Sequence, residues 1–373
     1  MTALVFTQAA CEGRTVRGAV AACLLIACLQ RQAVADGVAT APPPASSYDP
    51  NARASDSGDY PGRSPWLDLS PTPLLSIGAQ PGEPDQPDRG GARIASALTL
   101  GAIYAGFVTW TYYAWYRVET HPFRAGGDGL FSPNTYAAGA DKMGHAWATL
   151  GLGRWGVELL NQWGGYDRMT SSIVGMGLSQ LLFLGVEIKD GYAYQFSYGD
   201  FAFNTAGALL GFAQSIWPSV DRAVDFRVEY FPSAAYRARA KANGDIDWAE
   251  DYSGQTYQLA FHLSAIPGIG RNRTAAFASQ FVDVWLGFRA RGYKPDPLGK
   301  ITEENPDFPK EQAWLVGVGI NMQGVFDYVW RSGKHETVRK IFHAGTEMFT
   351  VPYTQLPIAD YTRTPTGVVP DEQ

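Results

Sequence analysis

Asp141-Lys142-Met143-Gly144-His145, Glu187-Ile188-Lys189-Asp190-Gly191 and Ser197-Tyr198-Gly199-Asp200 are three polar clusters, the last followed by Asn204 and Gly207. They stand in otherwise apolar, glycine-bearing sequence, and together they make residues 141–211 the stretch that decides the fold. The run from about residue 138 to 160 reads as a helix stopped by Gly164-Gly165. Asp141 and His145, at i and i+4, share a face of it. A second helical run, about 170–189, stops at Asp190-Gly191 and carries Glu187 and Asp190 at its C-terminal end. A third, about 200–217, is closed by Pro218 and carries Asp200 and Asn204 at its N-terminal end. Short connections make neighbouring helices antiparallel. The start of the first, the end of the second and the start of the third therefore fall at one end of a bundle. The spacing predicts that all three clusters converge there.

The ordered patterns D-K-x-G-H, E-x-x-D-G and S-x-G-D-x-x-x-N-x-x-G resemble an uncharacterised bacterial family of predicted periplasmic lipoproteins, domain of unknown function 2279. They are more loosely similar to VanZ-like membrane proteins, from which Asp190 departs because a Gln is common there. The resemblance covers roughly residues 141–211. Asp251-Tyr252-Ser253-Gly254-Gln255-Thr256-Tyr257 is similar to a stretch in longer members of the first family. The resemblance implies an envelope location and no established reaction.

The first 35 residues read as a signal segment. Arg14 and Arg17 precede an apolar run, and Ala33-Val34-Ala35 supplies an A-x-A cleavage site. Leu25-Ile26-Ala27-Cys28 resembles a lipobox, which would make Cys28 a lipidated N-terminus. All 3 cysteines lie in this segment, so the mature chain is expected to carry no disulfide. Residues 36–90, rich in Pro, Ser, Asp and Gly, read as a disordered linker. The expected localisation is exported, in the periplasm or at the outer membrane. The formal charge of -6 and the lack of a basic run argue against a nucleic-acid partner and leave membrane or envelope components.

The expected fold is mainly α, a membrane-associated four-helix bundle over residues 91–218, followed by a small antiparallel β region. Residues 94–113 are about long enough to cross a bilayer. They end in Trp110, Tyr112, Tyr113, Trp115 and Tyr116, as an interfacial aromatic belt does; a buried core helix is the alternative. Gly207 with Gly211, and Gly175 with Ser179, offer close helix approach. Arg154, Glu158, Asn161 and Gln162 keep the first motif helix from being wholly lipid-exposed. Residues 219–255 read as a linker and 356–373 as a tail. Between them, residues 256–263, 281–293 and 313–326 alternate as strands, with a short element near 347–353. That is fewer strands than the roughly eight a membrane barrel needs.

Asp141, Lys142, His145, Glu187, Asp190, Ser197, Asp200 and Asn204 form the candidate site, and three readings of it are open. A satisfied polar network pinning the helices needs no ligand; in it Ser197 and Asp200 make a capping box. Asp141, His145, Glu187, Asp190 and Asp200 offer a mixed N/O shell for a divalent metal, zinc or manganese, although no cofactor is established. Glu187, with a raised pKa, and His145 could act as acid and base on an envelope lipid or glycan. No nucleophile elbow, P-loop or dinucleotide fingerprint is present. The expected role is structural or accessory in the envelope, with metal binding or metal-dependent hydrolysis as the alternative. His121, His262, His335 and His343 read as surface or core histidines.

Overall fold

The computed structural model describes residues 90–127, 129–294, 309–331 and 336–366. The leader with Cys28, the first linker, most of the 295–309 loop and His335 lie outside the described residues. Among the described residues the chain is mostly helical, with nine helices and a six-stranded sheet.

Four long helices come first: α1 (Gly90–Ala114), α2 (Ala140–Glu158), α3 (Arg168–Ala193) and α4 (Tyr198–Ile216). Their ends follow the sequence. Asp167 caps α3 by accepting from the Thr170 amide, and Ser197 caps α4 by accepting from the Asp200 amide. Trp217-Pro218 ends α4. α2 passes into a π-helical turn, Leu159–Trp163, before Gly164.

The expected four-helix bundle is met only in part. α2, α3 and α4 pack on one another. Small residues make this possible: a Cβ on Gly207 would lie 2.1 Å from the Ala146 carbonyl oxygen, and one on Gly175 would lie 2.7 Å from the Val157 nitrogen. α1 leans on the π turn instead, through Leu100 against Leu159 and Leu160, with Ile103, Tyr104 and Tyr166 around them.

The sheet holds β1 (Val224–Tyr230), β2 (Gln255–His262), β3 (Val282–Arg291), β4 (Glu311–Ile320), β5 (Phe349–Thr350) and β6 (Gln355–Arg363). Its order is β5-β1-β2-β3-β4-β6, and the β5–β1 pairing is parallel. The three expected strands, β2, β3 and β4, pair consecutively and antiparallel as read, and the parallel β5–β1 pairing makes the six-stranded sheet mixed. Two of its strands come from segments read otherwise: β1 lies in the supposed linker 219–255, and the edge strand β6 at the start of the supposed tail. The linker also forms α5 (Pro218–Asp221) and α6 (Ala234–Asn243). α7 (Arg273–Ser279) precedes β3. The strand read over 313–326 stops at Ile320, where Asn321 caps α8 (Met322–Val329) through the Gly324 amide. α9 (Glu336–Met348) leads into β5.

The two sheet faces do different work. Phe226, Val228, Tyr257, Phe288 and Ala290 pack with Ala146 and Leu150 of α2 into the main core. On the reverse face Ala260, Trp285, Ala313 and Leu315 make a second core. Gly287 and Gly317 flank the Trp285 ring so closely that a Cβ would meet it at 2.7 and 2.2 Å.

Candidate functional site

The antiparallel order of α2, α3 and α4 brings the three polar clusters to one end of the helical layer. Lys142, in the first turn of α2, is 1% exposed and lies 3.2 Å from Asp141 Oδ2 and 3.2 Å from Asp200 Oδ1. One turn on, His145 Nδ1 is 3.1 Å from Asn204 Oδ1 and 3.3 Å from Glu187 Oε1. Asn204, fully buried, donates to Glu187 at 3.3 Å and accepts from Thr149 Oγ1 at 2.9 Å. The Ser197 amide donates to Glu187 Oε2 at 3.3 Å. The expected capping box closes on one side only: Ser197 Oγ accepts from the Asp200 amide, while the Asp200 carboxylate turns to Lys142. Asp190 stands one turn beyond Glu187 on α3 and lines the same cleft.

Burial raises the Glu187 carboxyl to about 8; Asp200 and Asp190 add to the rise and His145 opposes it. Burial works against charge on His145, but Asp200, Glu187, Asp141 and Asp190 outweigh it and raise the imidazole as well. Both groups are thus shifted towards their protonated forms. Lys142 adds a positive charge between Asp141 and Asp200.

The cluster is not sealed. A fifth of the His145 side chain faces a cleft of about 710 Å³ between the helices and the sheet. Phe107, Trp110 and Trp115 form one wall, Trp147 of α2 another, and Tyr230, Trp248 and Tyr257 a third. Tyr230 and Trp248 of the third wall belong to the segment read as linker, so the sequence patterns missed them. A signal was present in the 251–257 stretch: Tyr252, Gln255 and Tyr257 all line the cleft. It also explains the glycine of D-K-x-G-H, because a Cβ on Gly144 would lie 2.9 Å from the Tyr257 hydroxyl. Tyr257 donates to Gln255 Oε1 at 2.5 Å.

His145, Glu187 and Asp200 offer ligand atoms within 4.8 Å of one another, a mixed N/O set of the kind divalent metals take. His262 lies elsewhere, buried on the reverse sheet face. Its ring nitrogens are 2.7 Å from Asp283 and 3.0 Å from Asp225, with Arg227 completing the network. It is a core histidine. His343 contacts Asp327 and Glu347 on α8 and α9.

What these features define is a mixed helical and β domain, with a buried acid–histidine floor under an aromatic cleft. Residues 127–214, which hold α2, α3 and nearly all of α4, match the family model described as "Predicted periplasmic lipoprotein (DUF2279)". That description agrees with the exported, periplasmic or envelope location read from the leader. No curated protein and no solved structure matches the chain.

Proposed function

We propose that this is an accessory envelope protein that rests the outer face of its helical layer on a bilayer and receives an amphiphilic envelope molecule in the cleft. The polar cluster pins α2, α3 and α4 and forms the cleft floor. The observation that carries this reading is the double role of α1. Its Phe107 and Trp110 wall the cleft, while Ile94, Leu98, Val108, Tyr112 and Tyr113 are exposed on its other sides. An apolar helix so placed joins a lipid surface to an apolar pocket.

α1 and α3 are long and apolar enough to cross a membrane. Apposition fits the molecule better than a span. The sheet and the end of α9 flank α2, from Gly144 against Tyr257 to Gly151 against Met348.

The test is extraction of lipids from mature protein purified without detergent, wild type beside Ala148→Trp, which fills the cleft. A near-stoichiometric amphiphile in the wild type, depleted in the variant, is expected. Equal lipid in both, or none in either together with no uptake of added lipid, would overturn the reading.

The 4.8 Å grouping of His145, Glu187 and Asp200 favours a second reading, a divalent metal site for zinc or manganese that activates water against an envelope lipid or glycan. Against it, Lys142 already sits where a cation would balance Asp200. Metal content of the mature protein beside His145→Ala decides it. Metal retained by the wild type and lost by the variant supports the site; metal in neither removes it.

A further inference from the structure

We propose that the cleft selects a cationic headgroup, a primary or quaternary ammonium carried on an apolar tail; this rests on the amphiphile-binding reading above. The charged lining points to it. Asp141, Asp190, Asp200 and Glu250 are among the residues that line the cleft, and among the described residues neither Lys nor Arg lines it. The nearby cations stand behind the walls. Lys142 is buried between Asp141 and Asp200. Lys294 lies 3.6 Å from Glu250 and over the Tyr136 ring, and Lys189 lies over Tyr116. His145 is the one lining group that gains positive charge. With the neighbouring Glu187 and Asp247 added, acids outnumber bases around the cavity.

The second observation is independent of the acids. Trp110, Trp115, Trp248 and Tyr230 form a continuous aromatic group on the cleft wall. Trp110 lies 5.0 Å from Trp115 and 6.0 Å from Trp248, and Trp248 lies 6.0 Å from Tyr230, centroid to centroid. The Trp115 indole N–H donates to Asp247 at 2.9 Å, and the Tyr230 hydroxyl donates to Asp251 at 3.2 Å. Those bonds hold the Trp115 and Tyr230 rings by their edges within the aromatic lining of the cleft. Indole faces attract cations, and aromatic groups of this kind take quaternary ammonium ligands. A phosphate or sulfate head would meet carboxylates with no guanidinium to receive it. The apolar remainder, including Phe107, Phe183 and Leu152, suits a hydrocarbon tail.

The test uses mature full-length protein and three amphiphiles sharing one dodecyl tail: dodecyltrimethylammonium, dodecyl maltoside and dodecyl sulfate, each below its micelle concentration. Binding is read by calorimetry and by fluorescence of the lining tryptophans. The ammonium compound should bind about tenfold or more tighter than the neutral one, and the sulfate weakest. Trp110→Leu and, separately, Glu250→Gln should each lower the ratio of ammonium to maltoside affinity several-fold, whatever happens to the maltoside affinity itself; thermal melts report whether either variant has lost its fold. Equal affinity for all three heads, or tightest binding of the sulfate, overturns cation selection while the cleft reading stands. Binding of none of the three overturns the cleft reading and this proposal with it.

Discussion

Lys142 carries the charge balance of the cluster, since its ammonium lies between two buried carboxylates, Asp141 and Asp200. Removing one partner of a buried ion pair leaves the other charge desolvated and unpaired, which costs about 3–5 kcal/mol. Lys142→Met should therefore lower stability by that amount, and adding Asp200→Asn should return part of it; denaturant midpoints of the two variants check this. His262 gives a pH prediction on the opposite sheet face. Burial opposes its charge, but Asp225 and Asp283 on its two ring nitrogens raise it from the ordinary 6.5 to about 9. A folded-state value above the unfolded one means the imidazolium stabilises the fold fully below about pH 6.5. That stability is lost as pH rises through about 9, and it is on the order of 3 kcal/mol. His343, raised to about 10 by Asp327 and Glu347 against its own desolvation, acts with the same sign. The difference between wild type and His262→Gln isolates the first effect: their melting temperatures should converge between pH 6 and 10.

Among the elements, glycine decides how close the helices come. Gly207→Ala would press a methyl into the Ala146 carbonyl and force α4 off α2, a loss of about 1–3 kcal/mol or more. Gly177, also helical, has no atom within 4 Å of its would-be Cβ. Gly177→Ala should instead stabilise by about 0.5–1 kcal/mol, through helix propensity and a less flexible unfolded chain. Paired denaturation curves separate the two; equal losses would mean that close approach is not what Gly207 provides. The same local physics explains what was legible in the sequence. Caps, stops and i, i+4 spacing are short-range signals, so the three helix ends and their meeting point could be read from residues 141–211. β1 could not, because its alternating Asp225, Arg227 and Glu229 look like a solvated linker. The structure buries Asp225 and Arg227 against His262, Asp283 and Gln323, partners far off in sequence. β6 and the parallel β5–β1 pairing are likewise non-local. Trp248 and Tyr230 of the third wall of the cleft were hidden for that reason.

For the whole molecule, the outer helical face is the feature a folded core does not explain. Val174, Leu178, Leu181, Ile188 and Tyr192 are all exposed on α3 at spacings of three, four and seven residues, a stripe running most of the helix. α1 extends for 25 residues, about 37 Å, with only 17% of its apolar window buried. Leu209 adds an exposed side chain from α4. Scattered exposed leucines are ordinary, but an apolar surface continuous along a helix marks a contact surface. These positions are remote from the main core, where α2 meets the sheet, so changing them should alter the contact and leave the fold. Leu98→Glu with Leu181→Glu places a charge on each of the two long helices. In vesicle flotation the mature wild-type chain, stripped of any lipid anchor, should rise with the liposomes and the double variant should stay at the bottom, its melting temperature within a few degrees of wild type. Loss of flotation together with the fold would show these side chains to be structural. Flotation kept by a folded double variant would assign the membrane contact to another surface, and the exposed sheet residues Leu286, Val316 and Tyr361 would be the next to carry the charge.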